Sequence, residues 1–235
     1  MTTTLITGAN KSLGFETARQ LVALGHTVYV AARDPERGQR AADELGARFV
    51  QLDVTDDESV RAAAKHVLDE AGRLDVLVNN AGIPGEFKPH SEWTADDFQA
   101  VYDVNVFGAV RVLLEFIPLL KASDHPVVVN VSSGLGSIGT ASKPDGQADD
   151  VPHWLAAPAY ASSKAALNML TAQYAYLYPE LRINSADPGF TATDFNHHRG
   201  VQSIPEGAEI IVRLATVGPD GPTATYQSRD GVVPW

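Results

Sequence analysis

Short apolar runs alternate with longer amphipathic stretches along the whole chain. Thr3 to Ile6, Thr27 to Val30 and Arg48 to Leu52 read as buried strands, being too short for helices and rich in β-branched or aromatic side chains. Leu74 to Val78, Pro126 to Val131 and Leu181 to Asn184 repeat the pattern, and Thr223 to Gln227 makes a last strand. Phe15 to Leu24, a segment around Glu36 to Leu45, and Asp57 to Glu70 carry helical spacing between the early strands. A further short helix runs from Pro205 toward Val217. This alternation predicts an α/β protein, with a parallel sheet of about seven strands covered by helices on both faces. Such sheets take their ligands beyond the carboxyl ends of the strands, so the loops there should hold the chemistry.

Composition narrows the picture only a little. The length of 235 residues suits one large domain, 1–235, and 44% hydrophobic residues suffice for a real core. A net charge of −11 argues against nucleic acid or an anionic membrane as partner, since both call for a basic surface. No apolar run is long enough to span a bilayer, and the first residues lack the basic flank and apolar segment of a signal peptide, so a cytoplasmic location is expected. With no cysteine, disulfides, thiolate catalysis and thiolate metal sites are excluded.

The loops are more informative. After the first strand comes Thr7-Gly8-Ala9-Asn10-Lys11-Ser12-Leu13-Gly14, with glycines that let backbone N–H groups approach a pyrophosphate at a helix start. Ser12 stands where related patterns have a glycine. The second strand ends Ala31-Ala32-Arg33; neutral Ala32 replaces the acid that would hold a ribose 2′-hydroxyl. Arg33, with Lys11 nearby, suits a 2′-phosphate, so NADPH is expected over NAD. Asp34 starts the next helix at the Asp34-Pro35 boundary. Asp53-Val54 follows the third strand, where Asp53 serves as a turn residue or accepts from an adenine amine. Asn79-Asn80-Ala81-Gly82 follows the fourth, and Gly82 permits close cofactor approach.

The segment Ala159-Tyr160-Ala161-Ser162-Ser163-Lys164 places a phenol and an ammonium one helical turn apart. A neighbouring positive charge favours phenolate, and a phenol so tuned exchanges a proton with a carbonyl or alcohol oxygen. By itself the spacing is also that of an ordinary surface pair. With the Thr7–Gly14 loop, the Asp53 turn, Asn79 to Gly82, Asn105, Val129-Asn130-Val131-Ser132-Ser133 and Asp187-Pro188-Gly189, it makes a specific set. In order and spacing these motifs resemble the short-chain dehydrogenases/reductases over essentially the whole chain. Ala31 to Gly38 and the long stretch before Tyr160 are most similar to the monomeric carbonyl-reductase type within that family.

The resemblance implies a Rossmann-like doubly wound sheet and an NADPH-dependent reductase of ketones, aldehydes or quinones, reversible toward alcohols. It makes Tyr160 the general acid, Lys164 the group that lowers the tyrosine pKa and holds the nicotinamide ribose, and Ser133 the substrate-orienting hydroxyl. Asn105 matches a helix asparagine that holds a proton-relaying water. Gly8, Asn10, Lys11, Ser12, Leu13, Gly14, Arg33, Asp53, Val54, Asn80, Ala81, Gly82, Pro188, Gly189, Thr191 and Thr193, with Tyr160 and Lys164, then contact the cofactor. Asp187 is unusual for the family at its position. The run from Gly134 to Pro158 is about twice the family's usual separation between serine and tyrosine, and long loops beside a site tend to be functional. It is expected to border the substrate pocket, with Trp154 as a wall beside Leu135, Ser133, Tyr160 and Phe190. It can also obstruct the helix-face dimer of the family, so monomer and homodimer both stay open. His197-His198 suggests a surface or lid segment, because adjacent side chains diverge and no third metal ligand lies nearby. The terminal Trp235 should dock on the body. Two alternatives stand beside the reductase. A redox-silent NADP(H)-binding regulator would typically lose the tyrosine or lysine, and a dehalogenase-like lyase would dispense with the nicotinamide loop.

Overall fold

The computed structural model describes residues 1–86, 88–142 and 157–235. Its strands are β1 (Thr3–Thr7), β2 (Thr27–Ala32), β3 (Arg48–Gln51), β4 (Val76–Asn79), β5 (Val127–Val131), β6 (Arg182–Asp187), β7 (Tyr226–Ser228) and β8 (Gly231–Val232). They form one sheet in the order β3-β2-β1-β4-β5-β6-β7-β8. Every pairing is parallel except β7 with β8. The strand order reverses between β1 and β4, which opens a crevice at their carboxyl ends.

Helices cover both faces because the central strands β1, β4 and β5 are buried on both sides. Leu5, Tyr29, Leu77 and Val128 point to the face closed by α3 (Asp57–Ala71) and α5 (Ala109–Lys121), through Val60, Val67, Val112 and Phe116. Ile6, Val28, Val78 and Val129 point to the face closed by α1 (Ser12–Ala23), α2 (Pro35–Leu45) and a late helix at Ile204–Ala215, through Leu21, Ala41 and Ile211. The helix starts follow local chemistry. Asp34 caps α2 by accepting from Arg37 N–H at 3.0 Å, and Asp56 caps α3 by accepting from Glu58 and Ser59 N–H. The remaining helices are α4 (Ala95–Tyr102), the short α6 (Ile138–Ala141), α7 (Pro158–Leu177) and the Ile204–Ala215 helix, α8.

Three departures from the sequence pattern bear on the site. Helix α1 starts at Ser12, inside the glycine loop, three residues before the apolar spacing begins. Strand β6 runs on to Asp187 because Ser185 and Ala186 pair with both β5 and β7 and Asp187 pairs with β7, despite the polar side chains of Ser185 and Asp187. Between α4 and α5 the chain adopts a π-helical turn, Asp103–Gly108. An eighth strand, two residues long, adds the antiparallel edge. Trp235 does pack down: its ring lies 5.6 Å from that of Tyr226, and its carbonyl accepts from Gly139 N–H at 2.6 Å.

Candidate active site

The loops after β1 and β4 are tied together by their own hydrogen bonds. Asn80 Nδ2 donates to the carbonyls of Thr7 (2.8 Å) and Gly8 (3.2 Å). Thr7 Oγ1 accepts from the N–H groups of Asn80 and Ala81, both at 3.0 Å. Gly8 has φ +64°, and Ser12 shares the left-handed region at φ 50°, which explains why glycine is usual there. Ser12 therefore holds the glycine conformation at some strain. A Cβ at Gly14 would come within 2.5 Å of Asn80 Nδ2 and 2.8 Å of Gly8 O, so this turn closes only around hydrogen. The N-cap residue Lys11 gives no side-chain cap to α1, leaving its first N–H groups for an outside acceptor.

Cations gather at the outer end of this loop. A hollow of about 220 Å³ is lined by Asn10, Lys11, Phe15, Arg37, Arg40, Ala41 and Glu44. The sequence reading missed Arg37 and Arg40, whose positions on α2 became meaningful only once α1 packed beside them. Arg33 is exposed at the end of β2, and its charge reaches Asp53. Burial works against the Asp53 carboxylate, but the N–H and hydroxyl of Thr55 together with Arg33 hold it below its ordinary pKa. Val54 is buried against Gly108 at the π-turn. A larger hollow, between Gln39, Arg48, His66 and Glu70, lies at the opposite end of the strands and touches none of these residues.

The catalytic candidates meet one strand further along. Ser133 follows β5 and caps the turn Gly134–Gly136, its hydroxyl accepting from Leu135 N–H at 3.3 Å. A Cβ at Gly136 would stand 2.8 Å from Lys164 Cβ, so this glycine lets α7 press against the serine turn. Helix α7 thereby sets the Tyr160 phenol beside the Ser133 turn, close enough for the Ser133 hydroxyl to favour its ionised form. Lys164 Nζ donates to Val131 O at 2.7 Å and lies 5.6 Å from the centroid of the Tyr160 ring. Burial lowers the Lys164 pKa to about 8. It also pushes the Tyr160 phenol up, with Ser133 opposing and Asp187 reinforcing the rise. The expectation that Lys164 lowers the tyrosine pKa is thus not met in this state. Desolvation outweighs an ammonium that faces the Val131 carbonyl.

Asn105 sits on the π-turn, 1% exposed. Its Oδ1 accepts from Ile83 N–H at 2.8 Å, and its Nδ2 donates to Ile83 O and to Ser163 Oγ, both at 3.0 Å. The side-chain amide is fully engaged and locks α7 to the loop after β4. A Cβ at Gly82 would lie 3.3 Å from Asn105 Oδ1 and 3.6 Å from Lys164 Nζ, so Gly82 leaves the floor beneath the lysine open.

Beyond β6, Gly189 turns at φ +68°, and Thr191 Oγ1 donates to Pro188 O at 2.9 Å. Thr193 forms a capping box with Asn196 over the turn Asp194–Asn196. That turn carries Phe195 edge-on to Tyr160, with ring centroids 5.4 Å apart, and Asp194 to an ion pair with Lys11 at 3.2 Å. His198 pairs with Asp194 at 3.0 Å. Leu135 and Phe190 are partly buried beside the serine turn and the Gly189 turn respectively. Trp154, and most of the Gly134–Pro158 stretch with it, lies outside the described residues. Phe195 and Tyr226 were not anticipated. Tyr226 is fully buried and donates to Ser133 O, for which its place in a short late strand was the only signal.

A family model described as short chain dehydrogenase matches residues 2–203. The chain belongs to that family. It is 41% identical to a short-chain dehydrogenase of Penicillium roqueforti over 91% of this chain and 88% of that one. It is 34% identical to the (+)-neomenthol dehydrogenase of Arabidopsis thaliana over 97% and 96%. Among solved structures, the NADPH-bound carbonyl reductase from chicken fatty liver superposes with a TM-score of 0.85 at 28% identity, covering 99% of this chain and 98% of that one. Salutaridine reductase from Papaver somniferum gives 0.84 at 27%, covering 96% and 99%. No helix among the described residues is long and apolar enough to cross a membrane.

Proposed function

We propose that this dehydrogenase transfers hydride between NADPH and a small carbonyl or alcohol substrate. The observation that carries the reading is the meeting of Ser133, Tyr160 and Lys164 at the mouth of the crevice that starts at the glycine loop.

The residues fit a dinucleotide. Gly8 and Gly14 make a cradle that a Cβ would fill, beneath helix N–H groups that no side chain caps. Asn10, Lys11, Ser12 and Leu13 complete the pyrophosphate end. Lys11 and Arg33 serve the 2′-phosphate, with Arg37 and Arg40 adding to the local positive field. Asp53 and Val54 would hold the adenine, and Asn80, Ala81 and Gly82 the middle of the cofactor. Lys164 would hold the ribose next to the reacting ring, and Pro188, Gly189, Thr191 and Thr193 would bind its carboxamide. The bound dinucleotide supplies the hydride.

The protein's own part is proton transfer and orientation. The Tyr160 phenol donates to the carbonyl oxygen during reduction and accepts that proton back during oxidation. The Ser133 hydroxyl holds the same oxygen and stabilises its developing charge. Lys164 places a positive charge beneath the phenol, and Asn105 keeps α7 seated. Leu135, Phe190 and Phe195 form the described part of the substrate wall.

Purified protein incubated with NADPH and a panel of aldehydes, ketones and quinones should consume the cofactor. Binding of NADPH without turnover of any of them would favour a silent regulator and sink this reading.

A further inference from the structure

The Ser133 turn is held from a strand that β5 does not pair with. Tyr226 lies on β7 opposite Ser185 of β6, and its phenol reaches across β6 to donate to the Ser133 carbonyl. That carbonyl also accepts from Gly136 N–H at 2.8 Å, so both of its lone pairs are used. The Ser133 hydroxyl accepts from Leu135 N–H inside the same turn. Tyr226 is fully buried, and burial raises its pKa, so the phenol keeps the proton it donates.

A second grip lies at the exit of the turn. Beyond β8, Val233-Pro234-Trp235 returns over β7. Val233 N–H donates to Tyr226 O at 2.8 Å, and the Trp235 ring lies 5.6 Å from the Tyr226 ring at 30°. Ser137 Oγ, at the start of α6, donates to Pro234 O at 2.7 Å, and Gly139 N–H donates to Trp235 O at 2.6 Å. A Cβ at Gly139 would stand 2.9 Å from Trp235 O, so the segment closes on α6 only around hydrogen. Ser137 is 1% exposed and also accepts from Thr140 N–H at 3.0 Å, which fixes α6 to the same point. Tyr226 and the residues after it thus hold the serine turn at both of its ends.

We infer that Tyr226 is a positioning residue of this site: its hydroxyl, seated by the 233–235 segment, fixes the backbone of Ser133 and with it the direction of the serine hydroxyl toward the substrate oxygen. A donor that stabilises developing charge works only if it is already held in place, and a displacement of about 1 Å forfeits much of the rate. Tyr226 touches neither substrate nor cofactor on this account and acts through Ser133 alone.

The inference rests on the role proposed for Ser133, and two experiments separate them. Tyr226→Phe removes the hydroxyl and keeps the ring against Trp235. The kcat of carbonyl reduction should fall about tenfold, with the NADPH dissociation constant and the pH profile unchanged. In a Ser133→Ala background the same change should cost less than about twofold, because the group it positions is gone. An equal cost in both backgrounds, or none in either, would overturn the inference. The second experiment needs no turnover. In cofactor-free Tyr226→Phe, amide hydrogen exchange at Leu135 and Gly136 should accelerate about tenfold or more, while Val129 within β5 stays protected. Trp235→Ala unseats the same hydroxyl from outside and should give both results in weaker form, which keeps the test decisive if Tyr226→Phe folds poorly. Unchanged exchange at Gly136 in these variants overturns the brace even if the enzyme proves inactive. Faster exchange without any turnover would instead count against the proposed reaction alone.

Discussion

The loop after β1 and the cluster between β5, α7 and β6 are built on opposite plans. The first consists of backbone: two glycines, a serine held at positive φ, and helix N–H groups without a cap. Its outer cations are solvated, with Lys11 60% exposed in its ion pair. The second consists of side chains. Lys164 is 4% exposed and Asn105 1%, and each has a fixed partner. Backbone groups offer hydrogen bonds whose strength no neighbour can greatly change, which suits binding a constant ligand. Buried ionisable side chains can be tuned by what surrounds them, which suits proton transfer. One half should therefore fail in affinity and fold, and the other in rate and pH dependence.

The sharpest way to break this contrast is Tyr160→Phe. It should cut kcat by about 10²–10⁴-fold while NADPH affinity and melting temperature stay put. Retained turnover would mean that another group moves the proton. Ser133→Ala should follow with a loss of about 10²–10³-fold in kcat, again without loss of cofactor. Measured NADPH dissociation constants for both variants would expose any leakage between the two halves.

Lys164 provides a pH signature in the cofactor-free protein. Its folded pKa of about 8 lies below the unfolded 10.5, so between those values the unfolded chain binds the additional proton. Stability should rise with pH across that window, by a few kcal/mol at most over its full extent. Tyr160 works the other way, its folded pKa being raised, but only above its ordinary value of 10. Melting temperatures from pH 7 to about pH 10 should show a rise relative to Lys164→Met. A flat difference would mean that the lysine is charged at no cost.

On the backbone side, Gly14→Ala inserts a methyl 2.5 Å from Asn80 Nδ2. Destabilisation of about 1–3 kcal/mol and weaker NADPH binding are expected, with kcat at saturating cofactor little changed. Ser12→Gly should have the smallest effect, a stabilisation of under about 1 kcal/mol as the strain at φ 50° is relieved against the entropy of a freer unfolded chain. Denaturant titration resolves both signs. A Ser12→Gly variant that loses stability would show that the serine hydroxyl holds the loop through a contact outweighing the strain.

How much of this could be read from the chain depends on the residue. Val127 to Val131 announce β5 because a strand buried on both faces reads as a nearly continuous apolar run, interrupted here only by Asn130. The early helices α2 and α3 were legible from their spacing and from Asp34, whose capping role is purely local. Gly8, Gly14, Ser133, Tyr160 and Lys164 were legible as motif positions. The end of β6 was not, because Ser185 and Asp187 carry no apolar signal and pair only because β5 and β7 flank them. Arg37 and Arg40 carried no signal in the chain alone, because only the packing of α1 brings Asn10 and Lys11 beside them.

The sequence by itself determined which elements form and which reactive groups stand at their ends, since hydrophobic periodicity, caps and turn residues act over a few neighbouring positions. Only the tertiary structure decided the state of those groups. The proton affinities of Lys164 and Tyr160 and the engaged amide of Asn105 all depend on burial and on partners distant in sequence. Desolvation and charge act through space, and the chain acquires that neighbourhood only when α7, β5 and β6 come together.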